Sequence, residues 1–198
     1  MIVAMTWTRA AQIAGRGARL GLVAVVLLGL WRGAATPVIL AAFFLAISLL
    51  VERIAPSVLD ACFGVVLLAH ASGVLLGGPA DSGVWGPAMH LAAPFLVALI
   101  LAVAAADGRL LAPAASLRVA LGTGLLGGLL VIVAWEILEL ALNRISGVHI
   151  HTERGDTVTD LALGTLATGA GVALAAAILA HRRHGPVAVT DGGGGPAT

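Results

Sequence analysis

Five side chains combine reactive chemistry with regular spacing: His90, Glu136, Glu139, Asp156 and Asp160. Glu136 and Glu139 stand three apart in Trp135-Glu136-Ile137-Leu138-Glu139, and Asp156 and Asp160 stand four apart in Gly155-Asp156-Thr157-Val158-Thr159-Asp160. On a helix, either spacing puts the pair on one face. Carboxylates with an imidazole form a ligand set for Mg²⁺, Mn²⁺, Ca²⁺ or Zn²⁺. Carboxylate pairs whose proton affinities are pushed apart would equally serve acid–base chemistry or proton transfer. No soluble metalloenzyme motif such as His-Glu-x-x-His accompanies them.

Each of these residues also has a plainer reading. Thr157-x-x-Asp160 resembles a capping box with Asp in place of Glu, and acids suit a helix N-terminus, so capping alone accounts for both aspartates. Glu136 and Glu139 face the negative end of their helix dipole, so an Arg, a bound cation or a proton must offset them. Otherwise they sit in the headgroup layer near Arg144. A lone His90 at an interface needs only a hydrogen bond. His149 and His151 alternate in a loop and are weaker candidate metal ligands. His70, deep in an apolar run, is either bonded to a backbone carbonyl or part of a relay toward the other groups. Asp60 reads as structural, favoured by its helix dipole and by Arg53 nearby. The single Cys62 cannot form an internal disulfide and reads as a small apolar filler.

The elements that must position these groups follow from composition. The chain has 198 residues, 60% hydrophobic and 11% charged, where a soluble domain averages about 25% charged. Only lipid accepts that much apolar surface, so the bilayer is the expected partner. A formal net charge of +1 and the absence of Tyr argue against a nucleic-acid partner.

Six apolar runs, at about 18–35, 37–51, 57–76, 89–106, 119–142 and 157–180, are separated by charges, Pro and Gly. Uninterrupted runs without alternation read as helices rather than barrel strands. The expected fold is therefore all-α: a polytopic transmembrane helical bundle of about six spans, one domain over 1–184, followed by a disordered Gly- and Pro-rich tail at 185–198. The first run is short of the ~20 residues of a full span. It reaches that length when Arg19 snorkels to the interface. A cleaved signal peptide is the rival reading of this run, although Trp31-Arg32 interrupts any cleavage site.

Arg placement sets the orientation. With six spans and an internal N-terminus, eight Arg residues fall on the cytoplasmic side (9, 16, 19, 53, 109, 118, 182, 183) and three on the outer side (32, 144, 154). Both termini are thus expected in the cytoplasm, and His90 with the four carboxylates at the outer rim. Gly124 and Gly128, with a stripe of Gly164, Ala167, Thr168 and Gly171, predict close packing of the last two spans, either within the chain or across a homo-oligomer.

Trp135-Glu136-x-x-Glu139, Gly155-Asp156 and Asp160-Leu161-x-x-Gly164-Thr165-Leu166 resemble the YjdF-like family of small bacterial inner-membrane proteins. More distantly they resemble VanZ-like proteins, which are linked to glycopeptide resistance. Both groups pair a Glu late in one helix with an Asp opening the next, and His90 matches a His that starts an earlier span. The likeness covers about half the chain. It departs at Gly86-Pro87-Ala88-Met89-His90, where the family often has Asp-Lys before its His, and at Gly164-Thr165-Leu166-Ala167, where the family has Asn-Thr-Leu-Gly. It implies a fold, a bacterial cytoplasmic-membrane location and a candidate site, without a reaction.

The leading expectation is an outward-facing site at His90, Glu136, Glu139, Asp156 and Asp160 for a divalent metal ion or a polar headgroup, in envelope or lipid-linked chemistry. A small-solute or proton-coupled transporter is the first alternative, although no inverted repeat is evident. A non-catalytic membrane assembly partner is the second.

Overall fold

In the computed structural model, which describes residues 2–76, 84–110, 116–146 and 154–184, all the regular structure is helical. The helices are α1 (Ile2–Arg32), α2 (Ala35–Ile54), α3 (Ser57–Leu75), α4 (Trp85–Ala106), α5 (Leu117–Ser146) and α6 (Arg154–His184). All six contain a segment long and apolar enough to cross a membrane. In lipid every backbone N–H and C=O must be satisfied internally, and a helix does so within one segment. The tail at 185–198 lies outside the described residues.

Helix ends fall where the chain forces them. Gly33 at φ +65° separates α1 from α2. Ala55, ahead of Pro56, is extended at φ −83°, ψ 148°, so α2 stops before the proline and α3 starts after it. Gly108 at φ +70° closes α4, and the Arg109 amide donates to the Ala104 carbonyl at 2.8 Å. The first helix is longer than expected: it is helical from Ile2, well before the expected start near residue 18. No Pro interrupts it, and the Arg side chains are spaced widely enough for the helix to continue.

Small residues set the register between helices. Gly15 lies against Asp60, Gly64 against Ala18, and Gly21 against Leu68, so α1 and α3 run parallel. On the other side of the molecule, Gly128 lies against Thr168 and Gly164 against Ile132, so α5 and α6 run antiparallel. A β-carbon at Gly171 would land on the Phe95 carbonyl of α4, and one at Gly124 would meet the Ala98 carbonyl. The small-residue stripe of α6 is therefore occupied within the chain, against α4 and α5.

The result is two three-helix groups, α1–α3 and α4–α6, joined mainly through α3 and α4. Leu22, Leu40, Ile100 and Val103 are among the most deeply buried side chains. Leu126, Leu130, Ile137 and Leu166 point outward, as expected where the surrounding solvent is hydrocarbon.

Arg19 does not snorkel to the interface. It is buried against α3, with Nη2 2.5 Å from Asp60 Oδ1 and donating to the Ser48 carbonyl at 3.0 Å, while Nη1 lies 3.6 Å from Glu52. Asp60 thus finds its cation on α1 rather than at Arg53. The absence of a side chain at Gly15 leaves room for the pair.

Candidate functional site

The site grows out of the α5/α6 register. Gly128 meets Thr168 and Ile132 meets Gly164. One further turn in each direction brings Glu136 opposite Asp160, because each helix advances about 3.6 residues per turn. Helix α4 packs against both α5 and α6, and its second turn delivers His90 between them.

The resulting group is compact. His90 Nε2 stands 3.3 Å from Asp160 Oδ2, and His90 Nδ1 stands 3.8 Å from Glu136 Oε1. One ligand atom from each of His90, Glu136 and Asp160 falls within 4.8 Å of the others, and all three residues are buried. Bonds of about 2.0–2.3 Å from a cation require ligand atoms closer than about 4.6 Å even across its diameter, so small side-chain movements complete the set.

Local sequence explains each placement. Trp135 stacks on Phe44 of α2 with centroids 5.8 Å apart, and the ring of His70 on α3 stands nearly perpendicular to both, with centroids 5.5 and 4.9 Å away. This aromatic cluster pins one face of α5 toward α2 and α3. The next residue, Glu136, projects about 100° further round the helix, toward α4 and α6. On α4, Pro94 lacks the N–H that would have bonded the His90 carbonyl, so the turn carrying His90 is released from that rung of the ladder. Asp160 lies in the second turn of α6, which starts at Arg154, so Thr157 is already helical and the expected capping box does not form; the α5/α6 register places the acid instead.

The expected five residues divide. His90, Glu136 and Asp160 come together. Glu139 is half-buried and is not in that group; three residues beyond Glu136, it lies about 60° away round the helix. The side chain of Asp156, and all of His149 and His151, lie outside the described residues. His70 is not in the group either. It belongs to the aromatic cluster and, with His90, lines an apolar cavity of about 430 Å³. Residue spacing gave no sign of the Phe44–Trp135–His70 cluster; the available signal was three aromatic or imidazole rings at similar depth on separate runs.

Chemically, two carboxylates and one imidazole offer two negative charges against at most one positive. Such a donor set can hold a cation or share a proton. No family model, no curated protein and no solved structure matches the chain.

Proposed function

We propose that the chain is a multi-pass protein of the bacterial cytoplasmic membrane that captures a divalent cation at His90, Glu136 and Asp160, near the outer rim, for envelope or lipid-linked chemistry. The observation that carries this reading is the meeting of three buried ligand side chains from three helices within 4.8 Å. Metal ligands drawn from separate helices of a bundle are a common way to build such a centre. Mg²⁺ and Mn²⁺ suit two oxygen donors, and Zn²⁺ suits the imidazole. The distribution of Arg residues supports an outward-facing rim, and the Glu-then-Asp pattern shared with YjdF-like proteins points to the same residues.

The test is thermal unfolding of the purified full chain with added Mg²⁺, Mn²⁺ or Zn²⁺. A ligand that binds only the folded state raises its stability by mass action. Wild type should gain stability from at least one ion, and Glu136→Gln with Asp160→Asn should remove that gain. Equal ion effects in wild type and variant would reject the proposal.

A second reading has one observation of its own. His90 turns a different nitrogen to each carboxylate, Nδ1 to Glu136 and Nε2 to Asp160, an arrangement suited to passing a proton between them. This favours a proton-coupled carrier. Proton flux into liposomes that persists in His90→Ala would remove it.

A further inference from the structure

The cavity beside His90 has a chemistry that the cation site does not use. Its volume is about 430 Å³, and its wall combines rings and branched chains from α2, α3, α4 and α5, including Phe44, Leu67, Val97 and Leu138. His70 and His90 are the ionisable side chains on it. A buried water needs two to four polar partners, so most of this space is unsuited to water. An apolar cavity of roughly 150 Å³ holds one benzene ring; this one has room for a much longer hydrocarbon.

The cavity also has a side entrance. Apart from the Phe44–Trp135 stack, helices α2 and α5 scarcely touch. Phe43 on α2 and Ile137 on α5 line the cavity, yet are 44% and 62% exposed on the outer surface. Both lie within segments apolar enough to cross a membrane, so the gap between them opens onto hydrocarbon. His90 lines the same cavity, one imidazole shared between its wall and the acid cluster.

We infer that this cavity holds the hydrocarbon chain of a phosphate-headed membrane lipid, which enters sideways between α2 and α5 and places its phosphate on the cation at His90, Glu136 and Asp160. The inference rests on the cation-site reading above. Two carboxylates repel a bare phosphate, whereas Mg²⁺ is commonly held by one or two carboxylates plus a substrate phosphate. A buried methylene gains its full transfer free energy only on leaving water. A chain already dissolved in lipid gains far less, so selection falls on the head while the cavity fixes its position.

The test uses the full chain in nanodiscs and a long-chain alkyl phosphate with a photoactivatable diazirine in the chain. A matched alkane without the phosphate is the second probe. With Mg²⁺, phosphate-probe adducts should map to Phe44, Val97 and Leu138. EDTA should reduce them, and Ala134→Trp should reduce them by about tenfold. Ala134 lines the cavity from an exposed position on α5, so Trp fits there without disturbing the core. Ala141→Phe, at the same gap, is the second variant, and metal-induced stabilisation shows that either is folded.

Adducts confined to outward residues such as Leu126 and Leu130, and unchanged by both variants, would overturn the inference. If the metal stabilises the wild type in that case, the cation reading survives without the lipid. Adducts at Phe44 and Leu138 that ignore EDTA and match those of the alkane would overturn the phosphate head. Adducts of that kind in a protein that no metal stabilises would sink the cation reading as well.

Discussion

His90 Nε2 on α4 lies 3.3 Å from Asp160 Oδ2 on α6. The two helices run in the same direction, held at close range by Gly171 against the Phe95 carbonyl. The contact joins the second turn of one span to the second turn of another, and Glu136 of α5 closes the third side. These three positions should respond to metal as a unit.

Removing one ligand should abolish that response. His90→Ala, Glu136→Gln and Asp160→Asn should each weaken metal affinity by more than the ~10–100-fold that loss of a supporting partner costs. Glu139→Gln should fall at or below that range, because Glu139 is not in the group. Titration of each purified variant with Mn²⁺ or Zn²⁺ checks the ranking, and equal losses at Glu136 and Glu139 would contradict it.

The Arg19–Asp60 pair should matter for folding rather than for metal. Both side chains are buried, and removing Asp60 leaves Arg19 only the longer 3.6 Å contact to the exposed Glu52. Asp60→Ala should destabilise the protein by about 3–5 kcal/mol, whereas Arg19→Met with Asp60→Leu should lose much less. Thermal or denaturant unfolding in detergent checks both.

Glycine substitutions should divide by what they meet. Gly171→Ala drives a methyl onto the Phe95 carbonyl of α4 and should cost about 1–3 kcal/mol by overpacking. Gly169→Ala, two residues away, meets nothing within 4 Å. It should be neutral or stabilise α6 by up to about 1 kcal/mol, since Ala is the better helix former. Unfolding measurements on the two variants give opposite signs if α6 faces α4 as described.

Orientation has a separate check. A fluorescent protein fused after His184 should fold and fluoresce, because the excess of Arg on that side predicts a cytoplasmic C-terminus. A dark fusion, with activity from an alkaline phosphatase fused at the same point, would put His90 at the inner rim.

Much of the architecture was legible from the sequence, because six apolar runs in a chain with so few charges leave helices as the natural solution. Three of the five expected site residues converge, since an acid or imidazole near the same end of three packed spans has little choice of depth. Which acids converge was less legible. Spacing of three or four places two residues broadly on one face, but the α5/α6 register, set by Gly128 and Gly164, decides that Glu136 rather than Glu139 meets Asp160. The Arg19–Asp60 pair was hidden for a similar reason: Arg19 looked like a boundary residue until α1 proved to extend well before it. The cavity has no signature in any one run, because it is a gap between four helices.

The most direct measurement is electron paramagnetic resonance of Mn²⁺ titrated into the full chain in nanodiscs. The account predicts one saturable ion per chain with nitrogen hyperfine coupling from a single imidazole, lost in His90→Ala while the ¹⁴N signal persists in His70→Ala. Loss of the coupling in His70→Ala instead, or Mn²⁺ that never leaves the aqueous signal, would contradict it.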